Sequence, residues 1–521
     1  MSEGGLTRRS LLGATAGALA AGALRPVDAL ALLGAPEPPV LREQTVGRLG
    51  RGSTTIALRG NADLVGAAWN GPPGSLMVRL PGRQGGLSRW VPAAGCAPHA
   101  GGAQRGGTAG VIGDPIWTGG VRRLELRAER PLGDVRIFLV DVSGGMGARR
   151  RALSFAGLAT HAPLPLAAPV LEAGPGQPAI IARRAWAGSG CPPAVDPEYG
   201  AVRLAFVHHT DNPNGYGAYE VPAMLRAIYA FHRFARGWND IGYNFVVDLY
   251  GRIFEARAGG IDEAVIGAQA GGYNYASTGI AMLGTFSAQP ISAAARRALE
   301  HLLAWKLALH GVPAAGSEIV RVDPSGAVYS RYPAGARVAL PRIAGHRDAD
   351  TTDCPGAVLY RQLPAMRPRV AGMQGAAARA TLTLTGLAGA PTPGSAPVTG
   401  TLSGRLSTLA GDPLAGVPLA IQERVVERRG EAVSERTVAQ ASTDALGDWS
   451  LAVEIAHRRP RSALRAISLG APGGAAPAAV SESLQLPGVL AGVGSTGTPG
   501  GSPPAGEAAP APAASAGGAA P

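Results

Sequence analysis

Residues 204–255 read LAFVHHTDNPNGYGAYEVPAMLRAIYAFHRFARGWNDIGYNFVVDLYGRIFE. The apolar run at 204–207, closed by polar residues, predicts a short buried strand. Across 221–235, Met224, Leu225, Ile228, Phe231 and His232 recur at helical spacing. Phe245–Val247 and Ile253–Glu255 flank a Tyr250-Gly251 turn, which predicts a hairpin. Downstream, 279–283 predicts another strand, and Ser292 is placed to cap a long helix that ends at Gly311. Helices alternating with strands predict an α/β domain over 178–368, a central mixed β-sheet flanked by helices.

On either side the periodicity changes to two. Leu124, Leu126 and Ala128 alternate with Glu125, Arg127 and Glu129, and Val135, Ile137 and Leu139 continue the pattern, which predicts a β-sandwich accessory domain over 36–155. Leu419 and Ile421, then Trp449, Leu451, Val453 and Ile455 after a turn at 444–447, predict a second, Ig-like sandwich over 396–488. The proline-rich segment 156–177 reads as a linker. The Ala, Gly, Pro and Ser of 489–521 cannot offset their own ordering entropy and predict a disordered tail.

With 521 residues the chain has room for about three domains. Its 46% hydrophobic content supports packed cores. The net charge is +12, almost all from arginine, since Lys306 is the sole lysine. Such a charge attracts polyanions. The basic clusters at 149–151 and 458–461 lack interleaved aromatics, and with 5% aromatic residues overall no nucleic-acid partner is expected. No G-x-S-x-G, H-E-x-x-H or G-x-x-x-x-G-K-[ST] pattern occurs, which argues against a serine nucleophile or a nucleotide.

At the amino terminus, Thr7-Arg8-Arg9-Ser10-Leu11-Leu12 precedes a small apolar run to Leu24 and then Ala29-Leu30-Ala31. Residues 1–31 resemble a twin-arginine export signal; an ordinary secretion signal is the alternative. The apolar stretch of about 15 residues is shorter than the roughly 20 that cross a bilayer. The mature chain is therefore expected outside the cytoplasm, in the cell wall, periplasm or extracellular space, without an integral membrane segment. Of the three cysteines, Cys96 and Cys191 either pair or remain as two buried thiols.

Cys354 belongs to a different pattern. His208 stands at a strand end, and Gly345-His346-Arg347-Asp348 leads to Cys354-Pro355-Gly356 at H-x7-C spacing. Two histidines and one cysteine suit zinc, and three protein ligands leave the fourth tetrahedral position for water, as in a catalytic site. Zinc lowers the pKa of that water to about 7 and polarises a carbonyl, so hydroxide on the metal can hydrolyse an amide without a covalent intermediate.

Between the two histidine segments lie Gly237-Trp238-Asn239-Asp240-Ile241-Gly242-Tyr243-Asn244-Phe245, Gly251-Arg252-Ile253-Phe254-Glu255-Ala256-Arg257, Gly272-Tyr273-Asn274 and Gly279-Ile280-Ala281. This ordered series resembles the zinc-dependent N-acetylmuramoyl-L-alanine amidases of the peptidoglycan-recognition-protein and phage-lysozyme superfamily, over about residues 180–368. The resemblance implies one Zn2+ held by His208, His346 and Cys354. It implies hydrolysis of the amide between N-acetylmuramic acid and L-alanine in peptidoglycan, by a protein expected to be a monomer. It makes Tyr243 a catalytic residue facing the metal-bound water or oxyanion, and Thr352 a neighbour that stabilises developing charge. A phenol with pKa near 10 donates a hydrogen bond at neutral pH more readily than it acts as a base. Arg257, His232 and Asn274 are further candidates for substrate contact. Arg257 could equally form a structural salt bridge, and His232 could equally be core. The positive charge then suits anionic wall polymers as a second partner.

Two departures bear on specificity. Gln269 stands where relatives often carry histidine, and Ala258-Gly259-Gly260 follows Arg257 without a Gly-Trp pair that discriminates stem peptides in some relatives. The stem peptide is thus left open. The competing reading is a non-catalytic peptidoglycan-binding protein on the same fold; such proteins typically lose the cysteine that is present here.

Overall fold

The structure, a computed structural model, describes residues 38–142 apart from 73, 82–85 and 94–109, residues 177–374 apart from 311, and a set of strands between 380 and 485. The export signal, most of the linker, the tail, Cys96 and both arginine clusters lie outside the described residues.

The middle unit is built on a six-stranded sheet of β8 (Ile180–Ile181), β9 (Leu204–His209), β10 (Phe245–Val247), β11 (Ile253–Glu255), β12 (Ser277–Met282) and β15 (Ile343–Gly345), in the order β15-β9-β12-β10-β11-β8. The pairs β15–β9, β9–β12 and β12–β10 are parallel, and β10–β11 is the antiparallel hairpin, so the sheet is mixed. Its strands are apolar on both faces, as strands covered on both sides require. On one face Val207, Val247, Ile280 and Met282 pack against α3 (Ala293–Leu309) and α4 (Ala357–Gln374) through Leu299, Leu303, Leu359 and Leu363. Ser292 caps α3 by accepting from Ala295 N at 3.0 Å, a bond worth about 1 kcal/mol.

The other face carries α2 (Val221–Ala230), continued by a single π-helical turn, Phe231–Ala235. A hairpin of β13 (Ser317–Arg321) and β14 (Arg337–Pro341) covers Phe206 and Tyr273 beside it.

Residues 40–141 form one antiparallel sheet in which β1 (Val40–Leu49), β3 (Leu76–Arg79), β4 (Val91–Pro92) and β5 (Val111–Ile112) join the three strands named next, in the order β1-β7-β2-β6-β3-β4 with β5 beside β2. Its longest members are β2 (Gly52–Asn70), β6 (Ile116–Ala128) and β7 (Leu132–Asp141). Its strands hydrogen-bond in one continuous order, with register shifts in β2 between Ala57, Ala62 and Leu64. One face, with Val65, Ala67, Trp69, Ile137 and Leu139, makes its own core. The opposite face, with Leu64, Ala68, Phe138 and Val140, meets Met224, Ile228 and Phe231 in one continuous core. Helix α2 thus covers that face of the sheet.

From 380 on, β17 (Val398–Thr408) joins β16 (Ala380–Ala388) and β20 (Asp448–Ile455) in one sheet, and β18 (Pro418–Val426) joins β19 (Val433–Ser442), β21 (Ser462–Ser468), β22 (Ala479–Val480) and β23 (Leu484–Gln485) in another. Leu402, Leu406 and Trp449 from the first share a core with Leu419, Ile421 and Leu464 from the second. Arg465 of this unit forms an ion pair with Asp262 of the middle unit.

Candidate metal centre

In open α/β sheets, ligands bind beyond the carboxyl ends of parallel strands. Strand β15 ends at Gly345, opposite Val207 of β9, so His208, the next residue on β9, and His346, the first beyond β15, lie together with ring centroids 4.5 Å apart. Alternation along β9 turns His208 to the α2 side with Phe206 and sends His209 to the other face. There His209 Nδ1 accepts from Phe286 N at 3.4 Å. Cys354, 7% exposed, closes the group from the loop after β15.

Among the described residues, the ligating atoms of His208, His346 and Cys354 all lie within 4.8 Å of one another. His208 Nδ1 lies 3.6 Å from Cys354 Sγ. Zinc–nitrogen and zinc–sulfur bonds of about 2.05 and 2.3 Å meeting at the tetrahedral angle also place N and S about 3.6 Å apart, so the donor set fits zinc. His346 Nε2 bonds Asp350 Oδ2 at 2.9 Å, so Nδ1 is the nitrogen it could offer a metal. His209 N donates to Cys354 Sγ at 3.4 Å, which fixes the sulfur beside the end of β9. Burial first, and the neighbouring His346 second, hold the His208 imidazole well below its ordinary range, so it is neutral and able to ligate.

Tyr243 sits just before β10, its ring 5.4 Å from His208 and 5.6 Å from His232. His232, 3% exposed and kept neutral chiefly by burial, accepts from Gly242 N at 3.1 Å through Nδ1 and packs on Trp238 at 4.5 Å. It therefore props the turn that carries Tyr243. Thr352 is placed to shape the ligand loop, since its Oγ1 accepts from Cys354 N at 3.1 Å.

Arg257 and Asn274 stand apart from the metal ligands, in a cavity of about 330 Å³ that Trp238, Tyr273 and Tyr329 also line. Arg257 donates to Ile241 O at 3.0 Å. Asn274 Oδ1 accepts from Gln269 N and Ala270 N at 2.8 and 3.0 Å, so its carbonyl oxygen holds the chain.

Sequence reasoning missed Asp350, four residues after His346, whose i,i+4 spacing from a ligand was the available signal. It also missed Asp240, which pairs with buried Arg183 at 2.8 Å and accepts from Ala258 N at 2.9 Å, fixing the segment of Arg257. Cys191 is a free, buried thiol pushed up to about 12 by burial.

Residues 198–357 match the family described as N-acetylmuramoyl-L-alanine amidase. Peptidoglycan-recognition protein LB of Drosophila melanogaster is 28% identical over 185 residues, 35% of this chain and 67% of that protein. N-acetylmuramoyl-L-alanine amidase of Sus scrofa is 30% identical over 210 residues, 40% of this chain but 29% of that protein. The solved structure of wild-type Drosophila PGRP-LB is 26% identical and covers 36% of this chain and 92% of that chain, at a TM-score of 0.27. The family match and the two relatives support the middle unit as a domain of the superfamily that includes the amidases and the peptidoglycan-recognition proteins.

Proposed function

We propose that this chain is an exported zinc amidase that hydrolyses the amide between N-acetylmuramic acid and L-alanine in peptidoglycan. The observation that carries this reading is the convergence of His208 Nδ1, His346 and Cys354 Sγ at the carboxyl ends of β9 and β15, with a nitrogen–sulfur separation of 3.6 Å. When bound, zinc supplies an acidified water and a Lewis acid for the scissile carbonyl.

The chain's own residues do the rest. His208, His346 and Cys354 hold the ion and leave one position open. Tyr243, on the His208 side, donates a hydrogen bond to the oxygen on which negative charge develops. Thr352 keeps the Cys354 loop in shape, and His232 holds the Tyr243 turn. Arg257 and the Asn274 amide nitrogen orient the stem peptide in the 330 Å³ cavity. The amino-terminal twin-arginine pattern supports export, and no helix among the described residues is long and apolar enough to cross a membrane.

A zymogram on gels containing purified walls tests the reading. Clearing that a chelator abolishes and added zinc restores is expected. A protein that is retained by walls and clears none of them, with zinc bound, is instead a peptidoglycan-binding protein.

A further inference from the structure

A histidine that ligates through one ring nitrogen carries a proton on the other, so whatever faces that second nitrogen decides which one is available. For His208 the partner is Gln269 Oε1, 2.5 Å from Nε2. An amide could offer either its oxygen or its nitrogen there, and the residues behind it fix the choice. Ser277 Oγ lies 2.9 Å from Tyr273 O, a carbonyl that only accepts, so the serine's one proton is directed at it. The serine oxygen must then accept from Gln269 Nε2, 2.9 Å away. The Gln269 nitrogen is thereby turned to Ser277, its oxygen to His208, and His208 Nε2 must carry the proton. Nδ1 is left as a lone pair, on the side of Cys354 Sγ.

The relay has little freedom to rearrange. Gln269 is 2% exposed, and its backbone is pinned to Asn274 Oδ1. Its side chain lies on the bare backbone of Gly279 in β12. A Cβ at 279 would overlap Gln269 Cγ and come within 2.6 Å of its Cδ and 3.0 Å of Oε1. The second ligand is held differently, since His346 Nε2 faces the carboxylate of Asp350, which also accepts from Gly271 N at 2.8 Å.

We infer that Gln269, oriented by Ser277, is a positioning residue that locks His208 in the Nε2-protonated tautomer and so presents Nδ1 to the metal. The inference rests on the zinc reading above, yet the tautomer is a property of the metal-free protein and is measurable alone.

The test uses the full chain labelled with nitrogen-15 histidine. Long-range proton–nitrogen spectra of the metal-free protein report the His208 tautomer, and competition with a chromophoric chelator reports zinc affinity. Wild type is expected to show only the Nε2–H form. Gln269→Ala is expected to show both tautomers and to bind zinc roughly 10- to 100-fold more weakly. Gln269→Glu, which keeps an acceptor, restores the tautomer and the affinity. Ser277→Ala leaves the glutamine in place but frees its amide to turn over, so both tautomers are expected; this variant carries the test should Gln269→Ala fail to fold. A single Nε2–H tautomer and unchanged affinity in folded Gln269→Ala, or in Ser277→Ala if the former does not fold, overturns the inference. A wild type that shows the locked tautomer but binds no zinc overturns the zinc reading and leaves the lock standing.

Discussion

Gly66 of β2 lies at the joint between the amino-terminal sheet and the π-helical turn of the middle unit, and a single added methyl group tests how tightly the two units share their core. A Cβ built at Gly66 would overlap Phe231 Cε2 and sit 2.7 Å from Cζ and 2.9 Å from Cδ2. The Phe231 ring is fully buried and in T-shaped contact with Phe138 at 6.0 Å, so it has no solvent to swing into. Gly66 is not among the glycines of positive φ, so the effect of Gly66→Ala is overpacking and not backbone strain. Overpacking a well-filled core costs about 1–3 kcal/mol. At roughly 2–4 °C per kcal/mol for a unit of this size, the melting temperature should fall by roughly 2–12 °C. The displaced residue precedes His232, whose ring meets Tyr243, so turnover should fall as well. Thermal unfolding of Gly66→Ala, alone and combined with Phe231→Leu to make room, is the assay, and the second change should recover part of the loss. A melting temperature within about 1 °C of wild type, with turnover unchanged, would refute the shared core.

Tyr243→Phe removes the donor beside His208; turnover should drop roughly 10²- to 10³-fold while zinc affinity, read by chelator competition, stays within about twofold. For acid stability the sign follows from His232. Burial holds its imidazole well below 6.5, so between 6.5 and that lower value the unfolded chain binds one more proton than the native state. The contribution of His232 should therefore be flat above pH 6.5 and fall as pH drops below it, by up to about 1.4 kcal/mol per pH unit. Urea unfolding of His232→Gln across that range should give a shallower slope; an unchanged slope contradicts the assignment. Retention on purified walls should weaken as salt rises from 0.05 to about 0.5 M if the +12 charge holds anionic polymers, and salt-independent retention would point to another attachment.

Much of the middle unit was legible because its signals are local. The Phe245–Val247 and Ile253–Glu255 hairpin, the Ser292 cap and the strand Leu204–His209 are set by spacing within a few residues. The three candidate metal ligands stand out by residue chemistry even though 138 residues separate His208 from His346. What covers the amino-terminal sheet was not legible, because alternation tells which residues share a face and not what packs on it. The signal present was the nearly unbroken buried run Ala62–Asp63–Leu64–Val65–Gly66–Ala67–Ala68–Trp69, which alternation with a solvated face does not produce. Gln269 was visible as a departure at a position often held by histidine, but its contact with His208 joins a loop to a strand 61 residues away and is a property of the fold alone.

The most direct test is mass spectrometry of muropeptides released from purified peptidoglycan by the zinc-loaded chain. The account predicts free stem peptides beginning at L-alanine, with the N-acetylmuramic acid lactyl carboxyl regenerated. It also predicts no release by Cys354→Ala, which keeps only two of the three ligands. Release of products cut at another bond, or equal yields from Cys354→Ala without zinc, would contradict it.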